Sequence, residues 1–147
     1  MAGSTRFAVA VHILALMAED RQKPITSEAM AKSLGTNPAV VRRLLGLLSA
    51  AGLTTSQLGK GGGSTLARGP KKINLAEIYQ AVETPGLIAP QRSSPDLACP
   101  VGRHMAPALK NLTTAAEQAF LDVLAAVSLK QVSREIAAAN AAAKSAA

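Results

Sequence analysis

The sequence predicts a mainly α fold with one small β-hairpin: a winged helix-turn-helix domain plus a long C-terminal dimerisation helix. Three observations carry that expectation. The segment TNPAVVRRLLGLLSAAGL (36–53) has helical spacing and two adjacent arginines, Arg42 and Arg43. The next segment, TTSQLGKGGGSTLA (54–67), reads as two short β-type runs around a cationic, glycine-filled tip. From about Ala106 onward the chain is strongly helical in pattern. A helix, a short Gly-containing turn, a second helix and a hairpin make the layout in which one helix enters the DNA major groove and the wing meets the backbone or minor groove.

Ser4 or Thr5 is placed to cap a first helix over roughly residues 5–19. Phe7, Val11, Leu14 and Met17 mark one apolar stripe of it, and Val9, Ile13 and Leu16 a second. Such a helix is covered on most sides, as the central helix of a small domain is. After the polar turn from Asp20 to Pro24, Thr26 or Ser27 caps a second helix, with Glu28 well placed against its N-terminal dipole. Ala29, Met30 and Leu34 point inward, and Gly35 ends the helix. Asn37 as N-cap and Pro38 at the first helical position start the third. Val40 or Val41, Leu44, Leu45, Leu47 and Leu48 give its spacing, and Gly52 stops it. Arg42 and Arg43 fall off the Leu44/Leu48 face and should point outward.

Thr54–Leu58 and Ser64–Ala67 are the expected strands, around Gly59-Lys60-Gly61-Gly62-Gly63. Those glycines permit positive φ and a close approach of backbone N–H groups to a phosphate. Asn74 or Ile73 precedes a short helix with the stripe Leu75, Ile78, Tyr79, Val82. A Pro- and Ser-rich loop follows, with Pro85, Pro90, Pro95 and Pro100. Then Leu109, Leu112, Ala116, Phe120, Val123 and Val127 form one helical stripe, and Leu121, Ala125, Leu129, Val132 and Ile136 another, with Ser128 placed to cap a separate final helix. Two stripes on one long helix need two partners: its own domain and another subunit. The expected organisation is 1–83 for the winged domain, 84–105 for a sensor or linker loop, 106–139 for dimerisation helices and 140–147 for a disordered, Ala-rich tail.

Composition narrows the function classes. The chain has 147 residues, is 48% hydrophobic and has two Phe, one Tyr and no Trp, which argues against a single-strand binder built on aromatic platforms. Residues 1–72 hold ten Lys/Arg against three acids, and residues 73–147 six against six, so the net charge of +7 sits wholly in the half with the motif. A one-sided basic field suits a polyanion. One cysteine, Cys99, rules out an internal disulfide and a multi-cysteine zinc site. The apolar run Phe7–Ala18 is too short to span a bilayer, lacks a basic flank, and reads as a buried helix of a cytoplasmic protein with no membrane partner. No paired carboxylates, Ser/His/Asp set, Walker motif or HExxH marks an enzyme.

The chain resembles the Rrf-two family of bacterial transcription regulators, with its IscR, NsrR and CymR types. The resemblance covers nearly the whole length and rests on RFAVAVHILALMA, TNPAVVRRLLGLLSAAGL, LGKGGGSTLA, INLAEIYQAVE and the CPVG segment before a long helix. It implies a homodimer held by the long helix, with two winged helices on double-stranded DNA at a palindromic operator, most simply as a repressor. It places Thr36, Asn37, Ala39, Arg42 and Arg43 in the recognition helix, and Lys60, Gly61, Gly62, Gly63 and Ser64 in the wing. Several members hold an iron–sulfur cluster on three cysteines. This chain keeps only Cys99, with His104 near a later ligand position, so no cofactor and no metal are expected. Cys99, in a loop near Arg103, is instead the candidate sensor of oxidation or thiol modification. His12 is read as a core-edge histidine. Two alternatives stand beside this reading: a module that docks on an enzyme partner, and a regulator answering to an unidentified small ligand.

Overall fold

The first helix, α1 (Arg6–Glu19), is the hub. In the computed structural model, which describes residues 4–21, 23–86, 88 and 93–145, Ala10, Ile13, Leu14 and Met17 are buried to within 1%. α1 packs against α2 (Ser27–Leu34), α3 (Pro38–Ala50), the second strand, α4 (Leu75–Val82) and α6 (Leu129–Ser145). That is why its apolar residues occupy two stripes rather than one. Its first turn is satisfied from a distance: Ser4 Oγ accepts the Arg6 N–H at 3.3 Å, while Glu83, just beyond α4, accepts the Phe7 N–H at 3.1 Å and the Arg6 guanidinium at 3.0 Å.

The caps follow the local sequence. Thr26 Oγ1 accepts the Ala29 N–H at 3.2 Å, and Asn37 Oδ1 accepts the Ala39 N–H at 2.8 Å with Pro38 at the first helical position. Gly35 closes α2 at φ +62°, and Gly52 follows α3 at φ +71°, a left-handed backbone that costs glycine nothing. Val41, not Val40, faces inward with Leu44 and Leu48; Val40 and Leu47 remain exposed. Strands β1 (Thr54–Gln57) and β2 (Gly63–Leu66) pair antiparallel, with Thr54 opposite Leu66 and Gln57 opposite Gly63. Ile25 bridges to Ser64 through both backbone bonds (3.0 and 2.9 Å), which ties the hairpin to the segment entering α2.

α4 carries a reciprocal N-cap: Asn74 Oδ1 accepts the Glu77 N–H, and Glu77 accepts the Asn74 N–H, each at 3.0 Å. Arg68, just past β2, donates to the other Glu77 oxygen at 2.5 Å and to the Lys72 carbonyl at 3.1 Å, so it fastens the wing's exit to α4.

The C-terminal part departs from the expected boundaries. α5 runs from Pro100 to Ala125, about 39 Å at 1.5 Å per residue, and buries none of its residues. The loop therefore ends at Cys99 rather than residue 105, because Pro100 is itself a helix-starting residue. Of the expected loop, 87 and 89–92 lie outside the described residues. Ser128 does cap a separate helix, accepting the Gln131 N–H at 3.2 Å. That helix, α6, continues to Ser145 through most of the tail expected to be disordered; 146–147 lie outside the described residues. It returns to α1 and seats Leu129, fully buried, in the winged domain's core. Phe120, Leu121 and Leu124 are half-buried on the inner side of α5, whereas Leu109, Leu112 and Val123 are exposed. The chain's three aromatics form one edge-to-face row, Phe7–Tyr79 at 5.6 Å and Tyr79–Phe120 at 4.9 Å, which joins α1, α4 and α5.

Partial burial pushes the Glu77 carboxyl up, but the Arg68 hydrogen bond, the Asn74 N–H and the Arg68 charge together hold it below its ordinary value of 4.5. The resulting stability is fully present above that value and is lost as pH falls through the folded-state pKa. Thermal melts from pH 6 to pH 3 should show the wild type losing stability more steeply than Glu77→Gln. At pH 7 that variant should be about 0.5–1 kcal/mol less stable, the range for a partly exposed pair.

Candidate nucleic-acid interface

α3 turns Val41, Leu44 and Leu48 into the core, and its outer surface carries Arg42, Arg43 and Ser49 together with the exposed Val40 and Leu47. At about 100° per residue, Arg42 and Arg43 leave the helix on opposite flanks of its outer face, with Ala39 between them. On the Arg42 flank an open groove of about 580 Å³ separates α3 from the wing; Ser27, Glu28, Gly46, Ser49 and Gln57 line it with Arg42. Arg43 is exposed and has no ion-pair or hydrogen-bond partner among the described residues.

Arg42 is differently placed. Its Nη2 donates to Glu28 Oε1 and its Nε to Ser27 Oγ at 3.1 Å, while Ser27 Oγ donates to Glu28 Oε2 at 3.2 Å. A backbone N–H at the start of α2 and the Arg42 guanidinium hold the Glu28 carboxyl below its ordinary range. In the sequence Glu28 stands only as a favourable charge at a helix start. Its pairing with a residue fourteen positions on had no local signal.

The remaining expected positions divide between surface and scaffold. Ala39, Lys60 and Gly61 are exposed; Thr36 is half-buried at the turn, its N–H bonded to the Ala31 carbonyl at 3.0 Å. Asn37 spends its Oδ1 on the cap of α3. In the wing, the idea that the N–H groups of 61–64 are free for a phosphate needs correction at Gly62 and at Ser64. The Gly62 N–H donates to the Gly59 carbonyl at 3.0 Å, and the Ser64 N–H to Ile25 at 2.9 Å, with Ser64 itself only 6% exposed. A Cβ on Gly62 would stand 2.2 Å from the Gln57 carbonyl oxygen, and one on Gly63 2.6 Å from that of Ile25. These two glycines are there for close backbone packing. Leu58, next to the tip, is 94% exposed.

Cys99 is exposed at the N-cap of α5 and its side chain caps nothing. Arg103, expected beside the thiol, donates its Nε to the Leu97 carbonyl at 2.9 Å and its N–H to the Cys99 carbonyl at 3.0 Å. His12 lies at the surface, where Nε2 and Ser33 Oγ are 3.2 Å apart and link α1 to α2.

A helix-turn-helix closed by a hairpin and followed by a long exposed helix is what related proteins show. The family model of Rrf2, described as iron-dependent transcriptional regulator, matches residues 3–135. The chain belongs to the Rrf2 family. It is 39% identical over 129 residues to YwnA of Bacillus subtilis (strain 168), an HTH-type transcriptional regulator by name, covering 88% of this chain and 95% of that one. A solved structure described as a DNA-binding protein is similar at TM-score 0.70 and 38% identity, over 86% of this chain and 97% of that one. IscR of T. potens shares the fold at TM-score 0.68 and 21% identity, over 92% and 88%. Rrf2 proteins are transcriptional regulators and not enzymes, and this chain has the winged, DNA-binding fold of that family.

The donor set does not fit an iron–sulfur cluster. Cys99 is the only cysteine, and among the described residues no three His, Cys, Asp or Glu side chains come together. No described helix is long and apolar enough to cross a membrane.

The wing glycine makes a sharp test of the scaffold. Gly63→Ala should separate the Ile25 bridge and cost about 2 kcal/mol, lowering the melting midpoint by roughly 5 °C. Gly46→Ala, with nothing within 4 Å of the new methyl, should melt at or above the wild-type temperature, since alanine is the better helix former.

Proposed function

We propose that this Rrf2 protein is a cytoplasmic, homodimeric repressor that binds a palindromic operator in double-stranded DNA. The observation that carries the reading is the outer face of α3, with Arg43 unpaired, set beside a wing whose tip bears Lys60. In this reading α3 lies in the major groove, Arg43 grips phosphate or a base edge, and Lys60 with Gly61 meets the adjacent backbone. Thr36 and Ala39 border the same groove, and Asn37 holds the helix start in position.

Dimerisation is assigned to α5. Met105, Leu109, Leu112, Ala116, Ala119 and Val123 recur at alternating steps of four and three, a coiled-coil rhythm, and all are exposed in the single chain. A second copy is the partner that such a stripe fits, and two copies bring two α3 helices to two half-sites. One cysteine does not make the donor set of a cluster, so the switch is assigned to Cys99 at the start of α5. Oxidation or adduct formation there alters the 93–99 turn and the angle at which the dimer helix leaves it. A small ligand is the second reading. It has a cleft of about 180 Å³ in its favour, lined by Tyr79, Pro85, Phe120 and Leu121 between the winged domain and α5.

Selection on genomic fragments with reduced and with thiol-oxidised protein tests the whole reading. One palindromic site that binds a single redox form is the expected result; no enriched site in either form rejects it. Cys99→Ser should behave like the reduced wild type under both conditions, and a variant that still responds to oxidant moves the switch to the cleft. Arg43→Ala should weaken binding by about 1–3 kcal/mol at the operator if it reads a base. If it grips phosphate, it should weaken random DNA equally and flatten the salt slope by about 0.9. Leu112→Glu should sediment as a monomer and bind the palindrome at least about tenfold more weakly.

A further inference from the structure

Arg42, Ser27 and Glu28 close a three-membered ring of hydrogen bonds at the junction of α2 and α3, on the flank that faces the wing. The ring does two things to Arg42. It takes the guanidinium's Nε and one Nη2 proton, which fixes the plane of the fork and leaves Nη1, without a partner among the described residues, as the outward donor. It also sets a carboxylate beside the cation, so the pair carries no net charge toward DNA. Both members remain about 60% exposed, so the carboxylate stands in the groove itself rather than beneath it.

We propose that Glu28 is a positioning and specificity residue for DNA recognition: it aims Arg42 at a purine base edge and prevents it from acting as a phosphate clamp. The inference rests on the reading of α3 as the recognition helix. The chemistry follows from the two neighbours. Arg43, unpaired, gains energy from any phosphate, whatever the sequence. Arg42 brings its own anion, so approach to a phosphate sets carboxylate against phosphate, and the gain is small. An uncharged acceptor edge carries no such penalty. The guanine N7/O6 pair is the major-groove acceptor that matches a guanidinium held in one plane. Because the fork is already oriented, little side-chain freedom is lost when the base is met. One arginine of the pair thus supplies affinity and the other discrimination.

The test uses the full-length protein with Glu28→Gln, Glu28→Ala and Arg42→Ala, on the selected operator, on its single-base substitutions and on random duplex DNA. Glu28→Gln keeps a hydrogen-bond acceptor but no charge. It should bind random DNA several-fold more tightly, with a salt slope steeper by about 0.9, one extra phosphate contact. Glu28→Ala should show the same slope change and also lose about tenfold discrimination at one G·C pair, the scale of a bidentate base contact. Arg42→Ala should lose preference at that same pair, and Glu28→Ala added to Arg42→Ala should cost no further discrimination. All variants should melt within a degree or two of wild type, since the pair is exposed. Unchanged slope and unchanged discrimination in Glu28→Ala overturn the proposal while leaving the regulator reading intact. A wild type that enriches no site at all removes the recognition helix, and this inference with it.

Discussion

The position of the wing relative to α3 depends on one short backbone bridge, Ile25 to Ser64. A two-stranded hairpin of four-residue strands is marginal alone in water. Here β2 is bonded on both sides, to β1 across the hairpin and to Ile25 on its other edge. Ile25 in turn immediately precedes Thr26, the cap of α2. The hairpin and the helix-turn-helix therefore share a fixed joint, and the groove between α3 and the wing has a set width. Gly63 is required at that joint because no side chain fits between the two backbones, and Ser64 is buried because it sits inside it. Further back, α1 fills the space beneath all these elements, with Ile13, Leu14 and Met17 wholly covered.

A second linkage ties the winged domain to α5. Glu83 satisfies the start of α1, and the Phe7–Tyr79–Phe120 row crosses from α1 through α4 to α5. Each edge-to-face contact contributes about 0.5–1.5 kcal/mol beyond the area it buries. With so few aromatics in the chain, their collection at this one crossing makes it the firmest contact α5 has with its own domain. The rest of α5 has no buried residue, and that exposed surface is the one to which the proposed dimer contact is assigned.

Most of the fold was legible because it is punctuated by residues with strong local physics. Asn37-Pro38, Gly35, Gly52, Thr26 and Ser128 each start or stop a helix through a side-chain bond or a left-handed backbone, and each does so here. The start of α5 departs from its sequence pattern for the opposite reason: four prolines in one segment suggest a loop, yet Pro100 begins the helix and Pro107 sits within it. The Ala-rich end reads as a frayed tail because chain termini are where order is usually lost. Alanine's helix propensity, with Leu129 anchoring the first turn in the core, carries the helix on. At the site, which residues lie on α3 and the wing was readable, but what they do there was not. Ser64 and Gly63 look like wing-tip residues in sequence and are joints in space. Glu28 and Arg42 look like a dipole partner and a DNA contact, and they are a pair.

That pairing changes how the basic half should be counted. Of its ten cations, Arg6, Lys23, Arg42 and Arg68 lie within ion-pair distance of Glu83, Asp20, Glu28 and Glu77. Arg6 and Arg68 hold the scaffold and have little field left over. Arg21, Lys32, Arg43, Lys60, Lys71 and Lys72 have no acid within that distance among the described residues. The outward field thus comes from six of the ten cations: one just after α1, one on α2, one on α3, one at the wing tip and two just past the wing. A charge that is free adds to every encounter with a polyanion, while one already paired adds only where its partner is tolerated. The division of the cations into bound and free is therefore the physical ground on which the proposed separation of affinity from selectivity rests.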